Sequence, residues 1–399
     1  MPGRFPFKIG LIIVQRTPLE KTTYMLKTNA VLIAALFVCC VDPNSEQRAS
    51  GHGQTINTSV IDGPYVLYRN DSVFVNYIID SAGTKTVRRD SMASSLKNNV
   101  TLQINTDIPG KTFTVQLKQK LINEKAEWSG VKKMLVISDI EGNFEALRKL
   151  LQGNKVIDEN FNWTFGKDHV VFVGDFVDRG TMVTEVLWLI YMLEEKAKAA
   201  GGYVHYILGN HEIMNMSNDL GYVNERYTQH AALMNKPYMQ LFGPNAEIGR
   251  WLSTKNIVER IGNILFTHGG ISAYVNNMNV SIKELNEMTR PYYTDTTFKY
   301  SDDRLNVIFS DFGPFWYRSY YKSPRANISQ IDSTLDIYHV RHISTGHTII
   351  ANEISSVYGE KVFNTDVHHA EGHSEALLID DKKFWRVNAA GEKHDVKRL

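Results

Sequence analysis

The sequence predicts a layered α/β/β/α sandwich with two central sheets, preceded by a small all-β N-terminal module. Three observations lead to this fold class. Strand-type and helix-type segments alternate from Lys132 onwards, the C-terminal part is again rich in strand-type segments, and residues 61–122 carry only short β-type runs. Such alternation, followed by a strand-rich half, is typical of sheets covered by helices. A chain of 399 residues is long enough to bury a core of that size.

The composition is that of an ordinary globular chain and excludes several other classes of protein. Hydrophobic residues make up 43% of the chain and charged residues 22%, and the formal net charge is +1. Since there is neither a basic field nor an acidic block, we expect no nucleic-acid partner. The two cysteines, Cys39 and Cys40, are adjacent, which excludes a disulfide framework and a cysteine-based zinc site.

The first 42 residues resemble an export signal. From Met25 the chain reads MLKTNAVLIAALFVCCVDPNSEQ, in which a lysine precedes an apolar run too short to span a bilayer. The cysteines after this run resemble the lipidated cysteine of a bacterial lipoprotein. We therefore expect an exported, extracytoplasmic protein anchored to the membrane through Cys39 or Cys40, with residues 1–24 upstream of the true start. A buried apolar strand is the alternative.

The pattern predicts a linker over residues 43–60 and a small all-β module over residues 61–125. The linker is polar and rich in glycine, serine and asparagine. The module contains the β-type runs YVLY, SVFVNYII, VTLQI and TFTVQL, separated by turn-forming residues. Because nothing in it has catalytic spacing, we expect it to pack or to bind.

Residues 132–399 predict the catalytic domain, in which each element follows from its own pattern. NFEALRKLLQ has apolar residues at helical spacing, and MVTEVLWLIYMLEEKAKAA reads as a long helix ended by Gly201-Gly202. The buried-type runs predict strands, which are, in chain order, MLVIS, HVVFVG, YVHYIL, ILFT, HIST, ISSVYG, KVFN, EALLID and FWRVN.

Five of the predicted strands end in loops that carry side chains suited to metal ions. Ligands of α/β sheets bind outside the carboxyl ends of the strands, so these loops can converge on one cleft. The ligand-type residues, in the order of their strands, are Asp139 and Glu141, Asp175, Asn210 and His211, His268, and His347.

The ligand types indicate the chemistry. Carboxylate, amide and imidazole groups without cysteine favour hard or borderline divalent cations. A bridging carboxylate allows a pair of ions roughly 3.5–4 Å apart, which polarises phosphoryl oxygens and lowers the pKa of a bound water for in-line attack. Glycines beside the ligands let the backbone turn sharply and approach the substrate.

Four motifs in order, GDFVDRG, GNHE, HGG and GHT, resemble the signature of the calcineurin-like metallophosphoesterases and of their phosphoprotein phosphatase branch. The resemblance covers about residues 134–390. The segment SDFGPFWYRSYYKSP, Ser310 to Pro324, is similar to the WYR region of the bacterial Shewanella-like phosphatases. The resemblance implies the metallophosphoesterase fold, two divalent metal ions and hydrolysis of phosphomonoesters.

The resemblance also implies a role for each matching residue. Asp175 would bridge two metal ions. The first ion would be held by Asp139, Glu141 and Asp175, and the second by Asp175, Asn210, His268 and His347. The remaining implied roles belong to His211 as general acid, Asp178 as the group that orients it, Arg179 as a phosphate clamp, and Arg318 as a second phosphate contact.

Glu141 departs from the family pattern, which usually has Asp-x-His at the first motif. A carboxylate can still ligate, but it adds negative charge and hardens the site. We therefore expect manganese first, or magnesium, in preference to iron or zinc. The competing interpretation is a weakened or lost first metal site.

Two segments keep alternatives open. Arg318 stands among aromatic residues and could stack on one of them instead of contacting phosphate. The segment Asp366 to His373 could contact a metal directly, or form a solvated or substrate-facing loop.

Three functions fit the sequence. The first is a phosphatase of phosphoproteins, on serine, threonine or tyrosine. The second is a hydrolase of nucleotides or other small phosphoesters, which an exported protein could meet at the cell surface. The third is a non-catalytic surface protein with a decayed metal site. The presence of His211, Asp178 and Arg179 counts against the third function, because a site that has lost its activity is not expected to retain the general acid and the phosphate clamp.

Overall fold

The structure, a computed structural model, describes residues 58–399. The export signal predicted at 1–42, with Cys39 and Cys40, lies outside the described residues, as does the predicted linker up to residue 57. The first strand starts at Thr58, within the range predicted as linker. Between residues 58 and 399, no helix is long and apolar enough to cross a bilayer.

The described chain alternates strands and helices after an all-β start. The strands are β1 Thr58–Arg69, β2 Ser72–Ser81, β3 Thr84–Ala93, β4 Thr101–Asn105, β5 Thr112–Gln116, β6 Glu127–Trp128, β7 Lys133–Ile137, β8 His169–Val173, β9 Tyr203–Ile207, β10 Val258–Ile261, β11 Ile264–Thr267, β12 His342–Thr345, β13 Ser355–Val357, β14 Val362–Asn364, β15 Glu375–Asp380, β16 Lys383–Asn388, β17 Lys393–Asp395 and β18 Lys397–Arg398. The α-helices are α1 Phe144–Gly153, α2 Val183–Ala199, α3 Asn210–Ser217, α4 Glu225–Leu233, α5 Glu247–Leu252, α6 Ala273–Asn277, α7 Ile282–Thr289, α8 Asp303–Ile308 and α9 Ile328–Ile337.

Two mixed sheets form the centre of the molecule. A six-stranded sheet has the order β17-β16-β15-β7-β8-β9, and a seven-stranded sheet has the order β18-β13-β14-β12-β11-β10-β6. β7, β8 and β9 are parallel neighbours, as are β11 and β12. The predicted α/β/β/α sandwich is confirmed.

The period-two pattern of the strands explains the layers. Met134 and Val136 share a core cluster with Phe266 of the opposite sheet, and they fill the space between the sheets. The alternate residues, Leu135 and Ile137, belong to the second core cluster, together with the apolar residues of α1 and α2. Successive side chains of a strand point to opposite faces, so one short apolar run supplies both layers.

The N-terminal strands form a three-stranded antiparallel sheet, β1-β2-β3, and a hairpin, β4-β5. They share the hydrophobic core of α2, and the indole nitrogen of Trp188 donates to the carbonyl of Pro64 at 2.9 Å. These strands, the region predicted as a small β module, form one compact unit with the catalytic sheets.

Some strands have no signal in the sequence. β3 is polar and almost wholly exposed, and its pairing with β2 over ten residues is what makes it a strand. The two-residue strand β6 exists because it pairs with β10. In such strands the partner determines the conformation, and the side-chain pattern does not.

Candidate metal centre and active site

The five predicted loops meet at one edge of the two sheets, where β7, β8, β9, β11 and β12 end. A cavity of about 650 Å³ opens there. The predicted residues that line it are Asp139, Glu141, Asp175, Arg179, His211, Arg318 and His347. Of the other three, Asp178 bonds to His211 and His268 lies against Asp175, and Asn210 in turn lies 3.1 Å from His268. The structure therefore brings all ten predicted site residues together.

The backbone of the site adopts a conformation that side chains rarely allow. Positive φ angles occur at Asp139, Glu141, Asp175, Asp178, Arg179 and His347, all between 49° and 71°. Left-handed backbone at non-glycine residues persists only where the surroundings enforce it, and it concentrates at functional sites. The strained backbone therefore indicates that these loops hold functional side chains in defined positions.

Gly174 permits the close approach of two of these loops. A Cβ atom there would lie 2.6 Å from Nδ1 of His268 and 2.6 Å from the Cα of Gly209. Its φ of +80° is also unfavourable for any other residue. Only glycine lets the loop after β8 pack against those after β9 and β11.

Asp175, His268 and His347 form the first cluster, with one ligand atom of each within 4.8 Å of the others. Oδ2 of Asp175 lies 3.0 Å from Nε2 of His268, and Oδ1 of Asn210 lies 3.1 Å from the same nitrogen. Nδ1 of His268 donates to the carbonyl of Val173 at 2.7 Å. This bond fixes the tautomer, so that Nε2 offers its lone pair to the cluster.

Glu141, Asp175 and His211 form a second cluster with the same 4.8 Å spacing. Asp175 belongs to both clusters, as a bridging carboxylate must. The carboxylate of Asp139 lies beside them and accepts the backbone N–H of His347 at 3.1 Å on each oxygen. Glu141, the departure from the family pattern, thus still reaches the site with an oxygen atom.

His211 is held by a chain of buried hydrogen bonds. Its Nδ1 donates to Asp178 at 2.7 Å, Asn215 donates to the other oxygen of Asp178 at 2.7 Å, and the hydroxyl of Tyr238 donates to Asn215 at 2.7 Å. Nε2 of His211 then faces the clusters, 3.7 Å from Oδ2 of Asp175. Asn215 and Tyr238 were missed by the sequence analysis, because no motif marks them.

The protonation of His211 suits a proton donor. Burial lowers the pKa of its imidazole, but the carboxylates of Asp175 and Asp178 outweigh burial, so the pKa is raised above its ordinary value. An imidazole with a raised pKa keeps its second proton to higher pH. That proton is available to a leaving group within reach of Nε2.

Arg179 stands at the mouth of the cavity, with 48% of its side chain exposed. It forms an ion pair with Glu141, and its guanidinium lies 5.1 Å above the ring of Tyr222. The same ring lies 4.9 Å from that of His211. Tyr222, which the sequence analysis missed, therefore borders both Arg179 and His211.

Arg318 is tethered to the loop that carries His347. Its Nη1 donates to the carbonyl of His347 and, at 3.2 Å, to the hydroxyl of Thr348. The tether places the guanidinium in the cavity wall. Of the two alternatives, stacking on an aromatic ring or contacting the ligand space, the geometry favours the second.

Glu212 holds the loops together from behind. Its fully buried carboxylate accepts the backbone N–H groups of Asp175 at 2.9 Å, Phe176 at 2.8 Å and Gly209 at 2.7 Å, and the hydroxyl of Tyr206 at 2.9 Å. Glu212 is the last residue of the GNHE motif, but the sequence alone did not indicate this role.

The segment Asp366 to His373 divides between the interior and the rim of the cavity. Asp366 is 5% exposed and lines the cavity. His369 is also buried, whereas His368 and Glu371 lie on the accessible rim. Asp366 feels the charge of Asp139 and belongs to the acidic interior of the cavity. Residues 367–371 form part of the cavity wall.

The acids of the cavity fit divalent cations. Burial raises the pKa of Asp139 to about 7, and burial together with Asp139 raises the pKa of Asp366 well above its usual range. Both shifts reflect the cost of crowding carboxylates away from water. Cations would remove that cost, and a donor set of oxygen and imidazole nitrogen suits divalent metals.

Comparison with known proteins agrees with the interpretation of this site as a metal centre that acts on phosphoesters. The sequence pattern of the family described as calcineurin-like phosphoesterase matches residues 132–351. Shewanella-like protein phosphatase 1 of Plasmodium berghei is 27% identical over 287 residues, which span 68% of this chain and 77% of the relative. Shewanella-like protein phosphatase 2 of Arabidopsis thaliana is 25% identical over 292 residues, which span 61% and 73%.

A solved structure is also similar. The crystal structure of the cold-active protein-tyrosine phosphatase of a psychrophilic Shewanella species superimposes with a TM-score of 0.76 at 32% sequence identity. The match covers 84% of this chain and 99% of that one. It therefore extends beyond the central sheets and into the N-terminal strands.

Proposed function

The chain belongs to the calcineurin-like phosphoesterase family and is a phosphatase, and we propose that phosphorylated proteins are its substrates. The observation that carries the activity is that two ligand clusters share Asp175, with Nε2 of His211 only 3.7 Å from that shared carboxylate. The substrate class is supported by the relatives, whose names describe protein phosphatases.

We propose that the site holds two divalent metal ions, with ligands drawn from the two clusters and from Asp139 and Asn210 beside them. When bound, such ions polarise phosphoryl oxygens and lower the pKa of a nearby water. The proposed ligands are Asp139, Glu141 and Asp175 for one ion, and Asp175, Asn210, His268 and His347 for the other.

The side chains around the metal ligands supply binding and proton transfer. Arg179 and Arg318 present guanidinium groups that match the oxygens of a phosphoryl group. His211 donates the proton of Nε2 to the departing oxygen, while Asp178 holds Nδ1 and so keeps the ring oriented. The net reaction is hydrolysis: a water oxygen forms a new bond to phosphorus, the P–O bond to the leaving group breaks, and the products are the free hydroxyl and phosphate.

A substrate panel tests this proposal. Peptides phosphorylated on serine, threonine or tyrosine are assayed beside nucleotides with added Mn²⁺, using the wild type and His211→Asn. We expect turnover of phosphopeptides by the wild type and a loss of at least about 100-fold in kcat for the variant. Much faster turnover of nucleotides than of every phosphopeptide would contradict the proposed substrate class.

We further propose that the site prefers manganese or magnesium because of Glu141. The third carboxylate, Glu141, hardens the ligand set of its ion, whereas the usual histidine suits zinc and iron. Metal analysis and reactivation after chelation, on wild type and Glu141→His, test this. We expect the wild type to bind two Mn²⁺ per chain and the variant to shift towards Zn²⁺ or Fe²⁺. Fewer than one ion per wild-type chain, without activity in Mn²⁺, would indicate a lost site.

We also propose that the protein is exported and lipid-anchored through Cys39 or Cys40. The support is the lysine, apolar run and cysteine pair that follow Met25. Incorporation of a labelled fatty acid, compared among the wild type, Cys39→Ser and Cys40→Ser, tests this. Equal labelling of both variants and the wild type, or no labelling at all, would contradict the anchor.

A further inference from the structure

The first strand of the N-terminal sheet is interrupted where it faces the catalytic loops. Pairing of β1 with β2 runs from Thr58 to Val60, skips Ile61, and shifts again between Asp62 and Tyr65. Such a bulge turns a residue out of the ladder and re-aims its polar groups. The carbonyl of Ile61 and the carboxylate of Asp62 are the groups that are re-aimed here.

Arg226, in the first turn of α4, joins this bulge to the phosphate-clamping loop. Its Nη2 donates to the carbonyl of Ile61 at 2.7 Å, and its Nη1 donates to the carbonyl of Thr181 at 2.9 Å. Thr181 lies two residues after Arg179. One half-buried guanidinium therefore ties the N-terminal sheet to the loop that carries the clamp.

The clamping loop needs such external support. Arg179 has a φ of 52°, which is unfavourable for a residue with a side chain. The residues just before and at the start of α4 hold its main chain: the N–H of Arg179 donates to the carbonyl of Tyr222 at 3.0 Å, and Asn224 donates to the carbonyl of Arg179 at 3.1 Å. The position of α4 thus fixes that of Arg179.

A second contact anchors α4 to the same bulge. His230, one turn beyond Arg226, pairs through Nδ1 with the carboxylate of Asp62, which also accepts the hydroxyl of Tyr65 at 2.6 Å. His230 and Asp62 are 0% and 2% exposed. A buried bond of this kind resists sliding of the helix along the sheet.

We propose that Arg226 is a positioning residue for the phosphatase reaction and that the N-terminal sheet, through Arg226, fixes the phosphate clamp Arg179. This proposal rests on the proposed function. It gives the N-terminal sheet a part in catalysis, although none of its side chains lines the cavity near Arg179.

A double-mutant cycle on the full chain tests the coupling. Arg226→Ala, Arg179→Ala and the double variant are assayed with p-nitrophenyl phosphate and Mn²⁺, and inorganic phosphate is used as inhibitor. We expect Arg226→Ala to lower kcat/KM roughly tenfold and to raise the inhibition constant of phosphate similarly, the scale of one or two hydrogen bonds. In the Arg179→Ala background the same change should have little further effect, because Arg226 acts through Arg179.

Two further variants control for structure. Arg250→Ala removes a stacking contact with Tyr68 of β1, 4.5 Å from its ring, that does not touch the clamp loop, and should leave kcat/KM unchanged. Arg226→Lys keeps one donor and should restore part of the loss. If Arg226→Ala does not fold, Arg226→Gln replaces it in the cycle.

If Arg226→Ala lowers kcat/KM equally in the wild-type and Arg179→Ala backgrounds, or does not lower it at all, the proposed coupling is overturned. Hydrogen exchange of the amides of residues 178–182 gives a readout that needs no turnover. We expect faster exchange in Arg226→Ala than in Arg250→Ala, and equal exchange would overturn the proposal. A wild type without phosphatase activity would defeat the proposed function, while the exchange experiment would still decide the coupling.

Discussion

Asp139, Asp175 and Arg179 hold backbone conformations that cost about 1–3 kcal/mol each. Hydrogen bonds between the loops offset this cost. The N–H of Asp139 donates to the carbonyl of Gly174 at 2.9 Å, and the N–H of Glu141 donates to that of Asp175 at 3.0 Å. These bonds hold the ligand-type side chains of the loops after β7 and β8 in fixed positions relative to each other.

The proton-donor role proposed for His211 predicts that the effect of its removal depends on the leaving group. His211→Asn should lower kcat by about 100-fold or more on phosphoserine peptides, whose alkoxide needs a proton, and by far less on p-nitrophenyl phosphate, whose phenolate leaves without one. Steady-state kinetics on both substrates with each enzyme measure the difference. Asp178→Asn, which leaves the imidazole in place but unoriented, should show the same trend. An equal loss on both substrates would contradict a proton-donor role.

Glu185 predicts a pH-dependent stability. Burial, followed by the charge of Asp62, raises the pKa of this carboxyl to about 8, and one of its oxygens has no hydrogen-bond partner. Between pH 4.5 and about 8 the carboxyl of Glu185 is therefore protonated in the folded state and ionised in the unfolded chain. Stability contributed by this proton is present below pH 4.5 and is lost as the pH rises towards 8.

Glu185→Gln should remove this loss of folding stability at high pH, because the amide does not ionise. At pH 8 we expect the variant to gain roughly 1–3 kcal/mol relative to the wild type, with a smaller difference at pH 5. Urea unfolding at both pH values measures it. Glu225→Gln, an exposed change on the neighbouring helix, serves as the control. A stability difference that does not change with pH would show that Glu185 is ionised in the folded protein.

At the scale of elements, α2 is fixed by buried ion pairs as well as by apolar contacts. Glu194, 1% exposed, pairs with Lys255 at 2.6 Å and with Lys118 at 2.7 Å, and Lys255 also reaches Glu124 at 3.0 Å. Lys118 and Glu124 lie on the chain between β5 and β6. This network therefore joins α2 to the segment that connects the N-terminal strands with the catalytic sheets.

Removing one partner of this network should be costly. Lys255→Met fills a similar volume but leaves Glu194 and Glu124 with less neutralising charge, so we expect a loss of about 3 kcal/mol in the free energy of unfolding. Lys283→Met, which breaks the exposed pair with Glu287, should cost less than about 0.5 kcal/mol. Denaturant unfolding of both variants measures the contrast, and equal effects would exclude a special role for the buried network.

At the scale of the whole molecule, the shared core predicts cooperative unfolding. The N-terminal sheet and the six-stranded sheet both pack on α2, so neither can expose its apolar face alone. Hydrogen exchange in increasing denaturant should give the same midpoint for peptides from residues 72–93 and 133–173. Two separate midpoints would instead indicate that the N-terminal strands unfold as an independent module.

The sequence by itself determined the fold class and the set of residues that meet at the site. Asp175, Asn210 and His268 stand at the ends of apolar runs, and the carboxyl ends of neighbouring strands necessarily share one edge. The candidate ligands could be chosen from local pattern, because a strand and the loop after it are contiguous in the chain. The helices α1 and α2 were likewise predictable from their spacing and their stop signals.

Only the tertiary structure decided which other residues support the site. Asp62 and His230 are 168 positions apart, and Glu212 gathers N–H groups from 36 and 37 positions away, so no local pattern marks either contact. The same holds for β3, which is a strand because β2 pairs with it. Burial and hydrogen bonding between distant segments depend on how the layers pack, and packing is a property of the whole chain.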